Sequence, residues 1–319
     1  MKVGVFTPVL ASLPLAQALE TLQSLGVDTV ELGTGNWPGD AHCKLSMLEN
    51  PGELEAFQET LARFGFTISA LSCHGNALHP DRTVAARAQE VSHKTVLLAE
   101  KLGVPVVIDF SGCPGDSPAA AHPNWVTCPW PPEFREILDW QWREIVAPYW
   151  RRHAQHAADH GVRIAIEMHP GFVVYNPQTM LRLRELAGES VGCNFDPSHL
   201  FWQQIDPIAA LDVLGNSVFH VHAKDTQMFP ANLPRTGVLD SNAYDRERER
   251  GWIFRTCGYG HDALWWKQFV TALRLNGYDG ALSIEHEDSL LSAAEGLEKA
   301  IRFLKALVPE QQPGAAWWA

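Results

Sequence analysis

The stretch Arg163-Ile164-Ala165-Ile166-Glu167-Met168-His169 shows the unit from which the chain is built. This largely apolar run follows Gly161, and it leads through a loop into the helical stretch 177–186. Glycine tolerates the left-handed backbone that ends many helices, so Gly161 marks the boundary between a helix and this run. The stretch therefore predicts a buried strand that is followed by a helix.

The same unit recurs along the whole chain, with helical stretches between the strand-like runs. The predicted strands are Val3–Thr7, Thr29–Leu32, Thr67–Cys73, Val106–Phe110, Arg163–Met168, Val191–Phe195, Val218–Ala223 and Ala281–Glu285. Strict alternation implies parallel strands with right-handed crossovers, and eight is the number that closes a (β/α)₈ TIM barrel. An open doubly wound sheet is the alternative, but Thr7-Pro8-Val9-Leu10 at the first strand end is not a GxGxxG turn.

The organisation of the chain predicts one α/β domain over residues 1–319, because no linker rich in Gly, Pro or Ser separates the units. Two long inserts, 111–132 and 225–261, follow strands and are expected at the C-terminal mouth of the barrel. The tail 314–319 predicts a frayed or docked terminus, and a dimer contact is the second interpretation.

Composition narrows the class of protein. Hydrophobic residues make up 46% of the 319 residues, and Lys+Arg 25 against Asp+Glu 37 gives a net charge of −12. This composition excludes disorder, and the acidic balance would repel a nucleic-acid backbone. No apolar run reaches the ~18–20 residues of a membrane span, and the start of the chain does not fit a signal peptide. We therefore expect a cytoplasmic protein with neither nucleic acid nor membrane as a partner, and with six free cysteines.

Carboxylate and imidazole side chains occur at the ends of the last four predicted strands. Alternate residues of a barrel strand point to the interior. The aliphatic side chains of Ile166 and Met168 suit packing against helices, which leaves Glu167 facing inward with His169 on the same face. The same reasoning on the next three strands completes an inward set at the mouth, which is Glu167, Asp196, His222 and Glu285.

These four residues are predicted to hold a metal ion. Crowded carboxylates raise one another's pKa unless a cation neutralises them. Three carboxylates and one imidazole form an oxygen-rich set that suits Mn²⁺ or Mg²⁺, with Co²⁺ and Zn²⁺ as alternatives. A single polar residue at a strand end usually faces a loop, so the prediction depends on the four occurring together. Further candidates at the mouth, each with capping, loop structure or charge balance as the alternative role, are His74, His199, Lys224 and Arg255.

At these residues the sequence resembles the xylose isomerase-like TIM barrels, the superfamily of sugar isomerases, sugar 3-epimerases, inosose dehydratase and endonuclease IV. The stretches that carry the resemblance are 30–33, 72–76, 166–169, 194–199, 220–225, 258–261 and 283–288. They span nearly the whole chain and point to the sugar phosphate isomerase/epimerase group. By resemblance to ketose 3-epimerases, one divalent metal, commonly Mn²⁺, is implied on Glu167, Asp196, His222 and Glu285.

The resemblance also implies an activity. Glu167 and Glu285 would form the acid–base pair of an isomerase or epimerase that works through a metal-stabilised enediolate, and His199 would contact sugar hydroxyls. His74, Lys224 and Arg255 are expected to contact the substrate as well. We see no Gly-rich phosphate turn after the last two strands, so an unphosphorylated ketose or aldose is favoured. A homodimer is implied by the resemblance alone.

Other functions stay open at this point. The same proton abstraction could expel a leaving group, as in a lyase or dehydratase acting on a keto-sugar, keto-inositol or keto-glycoside. A non-catalytic sugar-binding barrel is less favoured because the ligand set is complete. The endonuclease branch is disfavoured, because the fourth strand ends without a His and residues 225–261 contain no Asp-x-His.

Overall fold

The computed structural model describes residues 1–311, 314–316 and 318, and its centre is a closed barrel of parallel strands. The barrel strands are β1 (Lys2–Phe6), β2 (Thr29–Gly33), β3 (Thr67–Ser72), β4 (Val106–Phe110), β5 (Arg163–Glu167), β6 (Val191–Phe195), β7 (Val218–Ala223) and β10 (Ala281–Ile284). Their order around the barrel is β1-β10-β7-β6-β5-β4-β3-β2. The predicted (β/α)₈ barrel is confirmed, and every predicted strand is a barrel strand.

Helices surround the barrel in the expected alternation. They are α1 (Leu15–Ser24), α2 (Pro51–Phe64), α3 (Arg82–Leu102), α4 (Pro132–Trp140), α5 (Ala147–Asp159), α6 (Pro177–Ala187), α7 (Pro197–Trp202), α8 (Pro207–Leu214), α9 (Leu233–Thr236), α10 (Ala263–Leu275) and α11 (Ala293–Lys305). Helix α3 shows how the sequence sets such limits. The Asp81 carboxylate accepts the backbone N–H of Thr83 at its start, and Gly103 (φ 68°) ends it in the left-handed region.

One predicted helix is interrupted. The sequence predicts a single helix over Glu133–His160, but a π-helical turn at Gln141–Val146 separates α4 from α5. Pro148 lacks an N–H and crowds the carbonyl one turn earlier, so the regular hydrogen-bond ladder cannot run through this point. The buried Gln141 amide donates to the carbonyl oxygens of Gly115 (2.9 Å) and Asn124 (2.8 Å). The interruption therefore ties the insert 111–132 to the helical layer.

The interior of the barrel is divided between apolar and polar side chains. A small apolar cluster is formed by Ala70, Val106, Ile108, Ala165 and Phe219. Further along the strands the buried side chains become polar, and they include Glu31, Asn194 and Ser283. TIM-barrel interiors are usually filled by apolar layers, so these polar groups need partners inside the barrel.

The second long insert carries two additional strands. Strands β8 (Asp225–Met228) and β9 (Trp252–Arg255) pair in antiparallel register, and β8 begins just after the end of β7. Among the described residues, no helix is long and apolar enough to cross a membrane. Trp317 of the predicted tail lies outside the described residues.

Close packing in the barrel generates the first testable prediction. A methyl group added to Gly192 in β6 would run into the carbonyl oxygen of Ser217 and the ring of Phe219. We expect Gly192→Ala to lower the free energy of unfolding by about 1–3 kcal/mol, as overpacking does, in a urea titration. Gly4→Ala in β1 is the matched control, because its new methyl group would lie 3.4 Å from Thr29. Equal effects of the two substitutions would contradict this packing.

Candidate metal centre

The predicted ligands meet at the C-terminal end of the barrel. One ligand atom from each of Glu167, Asp196, His222 and Glu285 lies within 4.8 Å of the others. Nδ1 of His222 is 3.2 Å from Oε2 of Glu167 and 3.3 Å from Oε2 of Glu285. The first three side chains are buried, whereas Glu285 is 17% exposed toward the mouth. Four neighbouring strands thus direct their end residues to one point.

Asp196 offers one oxygen to the scaffold and one to the site. It is the N-cap of α7, and its Oδ1 accepts the backbone N–H of Ser198 at 2.8 Å. Its Oδ2 lies 3.2 Å from Nζ of Lys224 and has no hydrogen-bond partner in the part of the chain that the structure describes. The start of the helix therefore orients the free oxygen toward the other ligands.

His222 likewise has one ring nitrogen bound to the scaffold and the other directed at the site. Its Nε2–H donates to the carboxylate of Glu31, with both oxygens at 3.0 Å. The hydroxyls of Ser72 and Ser283 also donate to this carboxylate. A proton is thereby held on Nε2 of His222, and Nδ1 faces the site with no hydrogen-bond partner among the described residues. A carboxylate behind a histidine is the usual way of orienting an imidazole ligand toward a metal.

Glu167 is held by hydrogen bonds on its Oε2. The Nε2–H of His74 and the Nδ2–H of Asn194 donate to this oxygen, each at 3.0 Å. The Nδ1–H of His220 in turn donates to Oδ1 of Asn194 at 3.0 Å. The other oxygen, Oε1, is 3.2 Å from Nε2 of His199. His74 and His199, the predicted substrate contacts, thus both touch Glu167.

Lys224 is the buried cation of the site. Its Nζ donates to Oε2 of Glu285 (2.6 Å) and to Oε2 of Glu287 (2.9 Å), and the side chain is 2% exposed. Burial opposes the charge, but Asp196 and the two glutamates raise the pKa of Lys224 well above its usual value. Lys224 therefore remains charged and partly balances the carboxylates.

The negative charge of the carboxylates at the site exceeds the positive charge of its cations. Burial, with the charges of Glu167 and Glu285, raises the pKa of Asp196 to about 6, although Lys224 opposes this. Burial also opposes ionisation of Glu167, yet His222 and its other histidine partners hold the pKa of Glu167 well below the usual range. Burial disfavours a charged His222, but the charges of Glu31, Glu285 and Glu167 raise its pKa well above the ordinary value. The site attracts positive charge.

The residues present fit a divalent metal ion. Buried polar atoms are normally hydrogen-bonded, so adjacent orphans indicate a missing partner. Among the described residues, Oδ2 of Asp196 and Nδ1 of His222 have charged neighbours but no hydrogen-bond partner, and both residues belong to the four-ligand group. Carboxylate oxygens with one imidazole nitrogen are a ligand set for a hard or borderline divalent cation.

A cavity of about 550 Å³ opens above the ligands. Its lining residues are Phe6, Pro8, Val9, Trp37, Pro38, His74, Phe110, His169, Phe172, Glu285, His286 and Glu287. Phe110 and Phe172 stack at 4.4 Å between ring centroids, and Trp37 packs on Phe110 at 5.6 Å. One carboxylate of the metal set therefore lies in the wall of an aromatic-sided pocket.

The contacts of Arg255, unlike those of the other candidate site residues, lie outside the group of predicted metal ligands. Its Nε–H donates to Oδ2 of Asp288 at 3.0 Å, and its Nη1 donates to Oε1 of Gln227 at 2.6 Å. Its guanidinium also lies 5.0 Å from the ring of Tyr259. Arg255 thus holds the β8–β9 hairpin to the segment after β10 that carries Glu285 and Asp288.

The hairpin itself reaches the site through Phe254. The ring of Phe254 lies 4.6 Å from Nζ of Lys224 and 5.3 Å, edge-on, from the ring of His199. A smaller cavity of about 340 Å³ lies between this hairpin and His169. The insert 225–261 therefore forms one wall of the mouth.

Sequence reasoning missed the residues that support the ligands. Glu31 and Asn194 are fully buried and hydrogen-bonded to the ligands, but neither was a candidate. A signal for both exists: Asn194 shares the strand face of Asp196, and Glu31 is a charged residue inside the apolar run Thr29–Gly33. A charge in a strand that is buried on both sides requires a buried partner.

Comparison with known proteins assigns the family. The model of the xylose isomerase-like TIM barrel family matches residues 19–307. The uncharacterized protein YfiH of Bacillus subtilis (strain 168) is 36% identical over 314 residues, covering 97% of this chain and 100% of that protein. Two solved structures share the fold: the probable 3-DHS dehydratase AsbF of Bacillus anthracis (14% identity, TM-score 0.66, 96% of this chain and 99% of that one) and a D-tagatose 3-epimerase-like protein (21% identity, TM-score 0.62, 96% and 98%). The chain belongs to the xylose isomerase-like TIM barrel family.

Proposed function

We propose that the protein is a divalent-metal-dependent isomerase or epimerase of an unphosphorylated ketose or aldose. The observation that carries the proposal is the convergence of Glu167, Asp196, His222 and Glu285 beside a cavity that Glu285 lines. When bound, a divalent cation supplies Lewis acidity, which polarises a sugar carbonyl and acidifies the neighbouring carbon. The oxygen-rich ligand set favours Mn²⁺, and the family gives enzymes as the broad class.

The two glutamates differ in a way that suits different proton-transfer roles. Glu285 lines the cavity and is restrained mainly by Lys224, so it can reach a proton beside the sugar carbonyl. Glu167 is more deeply buried and is fixed by His74 and Asn194. In an epimerase one glutamate removes the proton and the other returns one to the opposite face. In an isomerase the proton returns to the neighbouring carbon.

The walls of the cavity support a neutral sugar as substrate. None of the described residues that line it is a lysine or an arginine, whereas Glu285 and Glu287 are acidic. A phosphorylated substrate would meet repulsion there without a cationic clamp. The apolar face of a sugar can pack on Trp37, Phe110 and Phe172, and this packing would exclude water from the reacting carbon.

The acid–base assignment predicts the effect of removing one carboxylate. Loss of a positioned general base lowers turnover by about 10²–10⁴-fold, and we expect this of Glu285→Gln and Glu167→Gln. The assay incubates Mn²⁺-loaded protein in D₂O with a panel of ketoses, aldoses, inososes and 3-keto-glycosides, and follows deuterium incorporation by NMR. Glu298→Gln, on the exposed face of α11, is the control. Full deuterium incorporation in both active-site variants would refute the assignment.

Product analysis in the same assay separates the reaction classes. A change at one stereocentre identifies an epimerase, and movement of the carbonyl identifies an isomerase. Loss of water or of an aglycone would replace the proposal by a lyase that uses the same proton abstraction.

The carboxylate behind His222 predicts a change in metal affinity. Residues that orient a metal-binding histidine typically contribute about 10–100-fold to affinity, so Glu31→Gln should weaken Mn²⁺ binding by that factor in isothermal titration. The matched control is Asp28→Asn, just before β2, where the carboxylate pairs with Lys2 at the exposed end of the barrel. An unchanged Mn²⁺ affinity in a folded Glu31→Gln protein would exclude the role given to Glu31.

A further inference from the structure

Another cavity of about 550 Å³ lies beside the cavity that Glu285 lines. We call the cavity with Glu285 the first cavity and its neighbour the second cavity. Trp37 and Phe172 line both, and the centroids of their rings are 5.8 Å apart. Because the two cavities share these residues, only this aromatic pair separates them. A substituent on a sugar in the first cavity would reach the second by passing the pair.

The walls of the second cavity come partly from the insert 111–132. Cys113 and Pro123 of this insert line the cavity. Asn76 fixes the insert to the loop after β3, because its Nδ2–H donates to the carbonyl oxygen of Cys113 (3.1 Å) and its Oδ1 accepts the backbone N–H of Cys113 (2.9 Å). The insert that follows β4 is therefore built into the wall of a cavity outside the metal centre.

One face of α3 supplies a cation to the second cavity. Val84, Arg87 and Ala88 line it, and residues three and four apart share a face of a helix. Among the described lining residues, Arg87 is the only arginine or lysine, and none is an aspartate or a glutamate. The side chain of Arg87 is exposed, and no other described residue forms a hydrogen bond or an ion pair with it. Its guanidinium is therefore free to bind a ligand.

His79 adds a neutral donor to the same cavity. Its Nδ1 accepts the backbone N–H of Asp81 at 3.0 Å, so the proton of the neutral ring is on Nε2. In the part of the chain that the structure describes, this Nε2–H has no acceptor. The second cavity thus offers N–H groups from one charged and one neutral side chain.

The two cavities differ in charge. Glu285 and Glu287 line the first cavity without a described lysine or arginine, whereas Arg87 lines the second without a described carboxylate. A guanidinium binds a carboxylate through two parallel hydrogen bonds. One guanidinium with one neutral donor matches the single charge of a carboxylate better than the double charge of a phosphate. A ligand across both cavities would therefore carry its carboxylate at the end in the second cavity.

We propose that the substrate is a sugar joined to an acidic sugar unit, with the reacting end in the first cavity and the carboxylate on Arg87. This inference rests on the proposed function, because it adds a second unit to the ketose or aldose proposed there. Pockets of about 300–1,000 Å³ bury ligands of drug size, so two adjoining cavities suit a ligand longer than a monosaccharide. The ring of Trp37, 64% exposed between them, would pack on the linked units.

Matched pairs of disaccharides test the proposal. In each pair a reducing aldose or ketose is joined to glucose or to glucuronic acid through the same linkage, with every linkage position represented. Binding to the Mn²⁺-loaded full chain is measured by isothermal titration calorimetry. For at least one linkage we expect the uronate to bind about 5–10-fold tighter than its neutral partner, because an exposed charge pair adds modestly to affinity. The preference should decline as salt is added.

Substitution of Arg87 identifies where the carboxylate binds. Arg87→Gln should abolish the preference for the uronate. Arg82→Gln is the matched control, because Arg82 is an exposed arginine of the same helix outside the cavity lining, and this variant should retain the preference. A preference that persists in Arg87→Gln would place the carboxylate elsewhere, for example on the metal, and would overturn the inference. Equal binding of the two members of every pair would overturn it as well.

Deuterium incorporation keeps this inference separate from the proposed function. Incorporation into a monosaccharide, without an Arg87-dependent preference for any uronate, would overturn the inference and leave the proposed function intact. Arg87-dependent binding of a uronate, without incorporation into any sugar of the panel or any disaccharide, would support an acidic ligand in the second cavity and refute the proposed function.

Discussion

The interior of the barrel is organised by the need to neutralise buried negative charge. Closed parallel strands with alternating side chains bring Glu167, Asp196 and Glu285 to one point, where they would repel one another in a poorly hydrated space. Lys224 and His222 reduce this charge but do not balance it. The attraction for a divalent cation is therefore a consequence of the fold and of where the carboxylates stand on it.

The scaffold binds one polar atom on three of the four ligands. The start of α7 takes Oδ1 of Asp196, Glu31 takes Nε2 of His222, and Asn194 takes Oε2 of Glu167. Among the described residues, the other polar atoms of Asp196 and His222 have no hydrogen-bond partner. This division makes the direction of each ligand depend on backbone caps and buried strand residues, which are rigid, rather than on the mouth loops.

Much of this arrangement follows from the sequence, and the exceptions have physical reasons. Alternate residues of each strand point into the barrel, so the inward direction of Glu167 identifies the residues that share its orientation. These residues meet because the parallel strands all end at the same rim. The sequence did not predict the role of Glu31, since it lies mid-strand and gains its partner from β7 only when the barrel closes. Arg255 could not be placed from the sequence, because the insert has no periodicity that fixes its fold; its partner Asp288 is 33 residues away. The π-helical interruption before α5 was not predicted either, although Pro148 in the sequence could have indicated that a regular helix does not continue there.

Differences in substrate between members of one barrel family must come from the walls, because the barrel end fixes the reacting centre. In this chain the β8–β9 hairpin supplies one wall, and a buried carboxylate helps to hold its return to the barrel. Oδ2 of Asp225 accepts the backbone N–H groups of Gly258, Gly260 and His261, and Oδ1 accepts the His261 ring at 2.7 Å. Asp225 follows Lys224 directly, so the segment that anchors the hairpin is continuous with the strand that carries His222. The position of Phe254 over Lys224 is therefore tied to the same strand that positions His222.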